Sequence, residues 1–135
     1  MEISKTFRRD IGALDDVFHL VDSFFSDAPI DSKYRYPVDL ALEEIFTNCV
    51  KYNPRGESDI GVRLAIDRDE LMVAITDFDA ERFDITETPA VDIDAPLRDR
   101  TPGGLGVHLV KKFMDRIEYM HDNRVGTIKL YKHLG

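Results

Sequence analysis

Four short stretches of this chain carry residue types at spacings that chemistry can use. In Leu42-Glu43-Glu44-Ile45-Phe46-Thr47-Asn48, the Glu44 carboxylate and the Asn48 amide stand four positions apart, one turn apart on the same stripe of a helix. An amide oxygen is a neutral ligand for Mg²⁺, which keeps several waters and completes its shell with nucleotide phosphates. A carboxylate one turn away can orient or deprotonate a nucleophile. Taken by itself, such a pair is more often a solvated helix edge. The second stretch, Thr101 to Asp115, places Gly103, Gly104 and Gly106 against a helical apolar pattern. Glycines remove Cβ atoms, and a helix N-terminus presents unpaired N–H groups with partial positive charge; together these make a seat for a phosphate, or simply a loop end meeting a helix. No Gly-Lys-Ser/Thr follows and no strand directly precedes, so this is neither a P-loop nor a dinucleotide fingerprint. The third feature is Asp77, at the end of the apolar run Leu71 to Thr76, and the fourth is Gly126-Thr127, where a hydroxyl could reach the same place as Asp77. A carboxylate leaving a strand also caps turns, and a threonine after a glycine is also an ordinary strand start.

The elements that must position these residues follow from periodicity. Ile3 to Arg9 alternate as an edge strand. Asp10 caps a helix with Leu14, Val17, Phe18, Val21, Phe24 and Phe25 inward, ending before Pro29. A second helix is predicted from about Tyr36 to Tyr52, with Pro37 in its first turn and Val38, Ala41, Leu42, Ile45, Phe46 and Cys49 inward. Strict alternation in Ile60 to Ile66, then Arg68-Asp69, then Leu71 to Thr76 predicts a hairpin with one buried face. Residues 78–102 have no sustained period. A loop of that length in a compact domain is usually functional or mobile. Leu105 to about Arg116 reads as a helix, and Ile117 to Met120 with Val125 to Tyr131 as a closing hairpin joined through His121-Asp122-Asn123-Arg124. The order β-α-α-β-β-loop-α-β-β predicts an α/β two-layer sandwich, with helices on one face of a mostly antiparallel sheet.

Composition bounds the partners. At 135 residues, 43% hydrophobic and 33% charged, the chain is expected to be one domain over 1–135. No run approaches the ~20 apolar residues of a membrane span, and no apolar segment follows the N-terminal charges as in a secretory signal. Cys49 is the single cysteine, so no internal disulfide forms, which fits a reducing cytoplasm. A net charge of -8 repels a phosphate backbone, so no nucleic-acid partner is expected. The four histidines lack ligand spacing; His108 reads as a packed or surface helix residue, Lys111-Lys112 as a solvated helix face, and Cys49 as core.

Taken in order, LALEEIFTNCVKY, the strand ending at Asp77, GGLGVHLVKKFMD and Gly126-Thr127 resemble the anti-sigma-factor serine/threonine kinase family of the histidine-kinase-like (GHKL) ATPases, over nearly the whole chain. The resemblance implies a Bergerat-type fold with a mixed, mostly antiparallel sheet. It implies that Glu44 is the general base or water-positioner and Asn48 the Mg²⁺ ligand, and that Asp77 accepts from the adenine amino group. It also implies that the Gly103-Gly104-Leu105-Gly106 box covers the phosphates, that Thr127 lies near adenine, and that residues 78–102 are the ATP lid. ATP and Mg²⁺ are the cofactors implied, and the partners are a STAS-type anti-anti-sigma protein, which would be phosphorylated, and a sigma factor, held by a homodimer. One position departs from the pattern: Asp79 stands where the family has glycine after the strand, and the segment up to Phe83 is one residue longer. A side chain and a negative charge there lead to a second expectation, a non-catalytic partner-switching module with weakened or lost ATP binding. A third is an ATPase domain detached from a larger signalling protein, against which a chain with both terminal strands and no linker reads as complete.

Overall fold

The computed structural model describes residues 1–28, 30–52, 58–79 and 104–135. Strand β1 (Glu2–Phe7) is followed by helix α1 (Leu14–Asp27), helix α2 (Arg35–Tyr52), strands β2 (Ile60–Asp67) and β3 (Glu70–Asp77), helix α3 (Gly104–Phe113), and strands β4 (Arg116–Asp122) and β5 (Val125–His133). This is the element order expected from periodicity. The five strands form one sheet in the order β1-β2-β3-β5-β4, and each neighbouring pair is antiparallel.

Local chemistry explains the boundaries. Asp10 caps as expected, but a single 3₁₀ turn, Ile11–Ala13, stands between it and α1; its carboxylate accepts from the Gly12 N–H at 3.1 Å. A second such turn, Ser32–Tyr34, is capped by Asp31, which accepts from the Lys33 N–H at 2.9 Å, and leads directly into α2. Helix α3 stops at Phe113, short of the expected Arg116, because Arg116 already pairs with Tyr131 at the start of β4. The β4–β5 connection is tighter than the four residues expected. His121 and Asp122 are paired in the strand, and Asn123 and Arg124 alone make the turn, with φ of 48° and 66°. Two consecutive left-handed residues are the backbone of a type I′ turn, which matches the strand twist.

The core lies between the helices and one sheet face. Val17, Leu20, Val21 and Phe24 of α1 are buried at the i, i+3, i+4, i+7 spacing; Val38, Ala41, Leu42, Ile45 and Phe46 of α2 pack with them against Phe7, Ile60, Val62, Leu64, Leu71, Val73, Ile75 and Leu130. Fully burying one of these larger side chains stabilises the fold by about 1.5–3 kcal/mol. Helix α3 joins through Val110, with Met114 just beyond its end, and the Phe113 ring meets Tyr36 of α2 edge-on at 6.1 Å. The glycine-initiated helix is thereby held against the helix that carries Glu44 and Asn48.

Candidate functional site

Glu44 and Asn48 flank the buried stripe of α2, one turn apart, and both are half-buried. They interact: a side-chain hydrogen bond from Asn48 stabilises the Glu44 carboxylate. An amide that donates through its nitrogen keeps its oxygen free as an acceptor. Burial pushes the Glu44 carboxyl above its usual range and outweighs Asn48 and the charge of Lys51, which act in the opposite direction. Its Oε1 is buried with no hydrogen-bond partner among the described residues. Burying a carboxylate oxygen unpaired is costly, so a proton-bearing or cationic partner at this point would be stabilised. No group of three or more metal-ligating side chains exists among the described residues.

Among the described residues Asp77 is a charged residue buried in the core, 7% exposed. Its carboxylate is gripped by Arg9, a residue given no role in the sequence reading. Arg9 Nη1 donates to Asp77 Oδ2 at 3.1 Å, and Nη2 donates to Oδ1. The Asp79 N–H adds a bond to Oδ1 at 2.9 Å. Arg9 reaches further: Nε donates to the Ser58 carbonyl at 3.2 Å and Nη1 to the Cys49 carbonyl at 3.0 Å. The guanidinium is thus held by the end of β3, the C-terminal part of α2 and the segment entering β2. The hydrogen bond to Asp77 raises the Arg9 pKa, against the opposing effect of burial. Cys49 packs against the core as expected, and burial first, then the charge of Asp77, pushes its thiol up to about 12.

The charge at Asp79 is not left bare. Arg124, in the left-handed turn before β5, donates to Asp79 Oδ1 through Nε at 2.8 Å and Nη2 at 2.7 Å. A left-handed residue that is not glycine costs about 1–2 kcal/mol. The fork onto Asp79 gives Arg124 a contact that glycine at the turn would lack.

Thr127 is placed differently from the expectation that its hydroxyl joins Asp77. In the β3–β5 register Thr127 sits opposite Thr76, while Asp77 sits opposite Gly126. The two hydroxyls are 3.2 Å apart. Neighbours along a strand point to opposite faces, so Thr76 and Thr127 lie on the side of the sheet away from Asp77. Phe78 lies there too, its ring 3.4 Å from where a Cβ on Gly61 would stand. Replacing Thr127 with Val should remove one neutral, half-exposed hydrogen bond. Urea denaturation should show a loss within about 1 kcal/mol.

Gly104, Leu105 and Gly106 form the first turn of α3, so the helix begins within the glycine box, one residue earlier than expected. Gly103 and nearly all of the expected lid, from residue 80 onward, lie outside the described residues. The structure therefore brings Glu44 and Asn48 together, links Asp77 to the backbone beside Asn48 through Arg9, and holds α3 against α2. Arg9 was the residue missed. The only hint in sequence was an arginine closing an edge strand just before a capping aspartate, a position where a solvated charge is the ordinary reading.

No described helix is long and apolar enough to cross a membrane. The serine-protein kinase RsbW of Halalkalibacterium halodurans is 28% identical over 92 residues, which cover 65% of this chain. The matched region spans 56% of that protein's length. The family model described as the histidine kinase-like ATPase domain matches residues 7–132. With the antiparallel sheet, the helices on one face and a glycine-initiated helix packed against α2, this places the chain in the histidine kinase-like ATPase family.

Proposed function

We propose that this chain is an anti-sigma regulatory factor that binds MgATP and phosphorylates a serine or threonine of a STAS-type anti-anti-sigma protein, while sequestering a sigma factor as a cytoplasmic homodimer. The observation that carries the reading is the Glu44 Oε1, buried one turn from Asn48 and without a hydrogen-bond partner among the described residues. The likeness to a serine-protein kinase supports it. Asn48 would hold Mg²⁺ through its amide oxygen, Asp77 would face the adenine, and the N–H groups at the start of α3 would face the phosphates. MgATP, when bound, would supply the γ-phosphoryl group, its bond to ADP breaking as the bond to the hydroxyl oxygen forms, with ADP leaving and the metal offsetting the charge on the phosphate oxygens. Glu44 takes the proton from the incoming hydroxyl through Oε1, which is why a raised basicity and a missing partner matter there. The remaining contribution is positioning in a site from which water is partly excluded. The phosphate then placed on the partner meets a chain of net charge -8, and repulsion disfavours the phosphorylated complex.

The alternative of a non-catalytic module rests on Asp79, and its force is reduced by the pairing of Asp79 with Arg124. Titration calorimetry of ATP with Mg²⁺, beside Asn48→Ala, tests the proposal. Binding that depends on Mg²⁺ and is lost in the variant is expected, followed by phosphate appearing on a cognate STAS protein. A STAS protein that binds and stays unphosphorylated would make the chain a partner-binding module.

A further inference from the structure

Asp77 can accept about four hydrogen bonds, two at each oxygen. Oδ1 receives two, from Arg9 Nη2 and the Asp79 N–H, and Oδ2 receives one from Arg9 Nη1. Among the described residues a single acceptor position therefore remains, on Oδ2. The side chains are 2% and 10% exposed for Arg9 and Asp77, so neither rotates freely without breaking the fork. Among the described residues, Arg9 alone joins Asp77 to α2 through hydrogen bonds. Its bond to the Cys49 carbonyl falls one residue after Asn48.

We propose that Arg9 is a positioning residue that leaves Asp77 one directed acceptor for a nucleobase and ties that acceptor to the helix carrying Glu44 and Asn48. This rests on the reading of Asp77 as the carboxylate facing the base, and extends it to how the base is chosen. A fixed lone pair favours a base with an amino group, such as adenine, over hypoxanthine, whose carbonyl oxygen at the same ring position would face a carboxylate oxygen. Arg9 touches no substrate and acts only through Asp77. Lysine in its place keeps the positive charge, but has no planar fork with which to hold both carboxylate oxygens and two carbonyls at once. The Asp77 carboxylate would then turn among several orientations, and the choice of base would weaken while the phosphate end of the site stays as it is.

The test is calorimetric titration of ATP and of inosine triphosphate, each with Mg²⁺, into wild type, Arg9→Lys, Arg9→Met and Asp77→Asn, all checked for folding by circular dichroism. Wild type should prefer ATP by roughly tenfold or more, the worth of a hydrogen bond to a charged acceptor. Arg9→Lys should bring the two nucleotides close to equal while inosine triphosphate affinity and its Mg²⁺ dependence stay within about threefold of wild type. Asp77→Asn should also lose the preference for ATP, and combining it with Arg9→Lys should not restore that preference. If Arg9→Lys weakens both nucleotides in proportion, Arg9 is only a structural tie and the inference falls. It also falls if Arg9→Lys keeps the wild-type preference. Arg9→Met, if folded, should behave as Arg9→Lys does, with the same two outcomes against it. Failure of wild type to bind either nucleotide at millimolar concentration would instead overturn the nucleotide reading of the site, and this inference with it.

Discussion

Replacing Glu44 with Gln should reduce phosphoryl transfer to a STAS partner by about 10²–10⁴-fold, the usual contribution of a positioned general base, while ATP still binds. The amide keeps the size of the carboxyl and its neighbour Asn48, but cannot take a proton. Single-turnover transfer of labelled phosphate, with ATP affinity measured separately, checks both halves. The stability effect should have a definite sign. The folded-state pKa of Glu44 is raised by burial, so the folded protein holds this proton more tightly than the unfolded chain. Its contribution to stability is fully present below the unfolded value, near 4.5, and is lost as pH rises through the folded one. Glu44→Gln should therefore flatten the fall in stability across that window, and leave the protein no less stable than wild type at neutral pH. With Glu44 as the base proposed above, activity should have the opposite dependence, since the carboxylate must be unprotonated to take a proton. Transfer by wild type should rise with pH over the range in which the Glu44 contribution to stability is being lost.

Arg9→Met should destabilise the fold by about 3–5 kcal/mol, the usual consequence of removing one partner from a buried ion pair, and lower the midpoint of thermal unfolding by about 10 °C or more. Asp77 would remain in the core without its counter-charge, and the Ser58 and Cys49 carbonyls would lose their donor. The paired variant Arg9→Met/Asp77→Leu separates the causes. Replacing both charges with apolar groups is often neutral or stabilising, so the double variant should regain most of the loss in a urea titration. If it does not, the two carbonyls and the link to α2 carry more of the effect than the ion pair does.

Much of the fold was legible because local period and global burial agree. The α1 and α2 stripes and the β2–β3 alternation each assign a face, and the structure buries those faces together. Differences arose where contact with another strand outweighed local pattern: Arg116, expected at the end of α3, is taken into β4, and His121 and Asp122 are taken into the sheet by pairing with Gly126 and Val125. Within the site, Glu44 and Asn48 were readable because a separation of four on a helix is already a spatial statement. Thr127 was not, because its face depends on register. Shifting the β3–β5 pairing by one residue would move its hydroxyl to the side of Asp77.

By itself the sequence determined the two-layer α/β architecture, the helix turn joining Glu44 to Asn48, the glycines at the start of α3 and a resemblance that the family match supports. The helix turn and the glycines follow from spacings within one element, while the architecture and the resemblance follow from the order of elements and motifs along the chain. Only the tertiary structure decided that Arg9 grips Asp77 across 68 positions and reaches the Cys49 carbonyl, that Arg124 offsets Asp79 across 45, and that Thr127 turns to Thr76. Those contacts depend on strand order and register. A buried charge finds its partner through the packing of distant segments, and no periodicity in either segment announces the meeting.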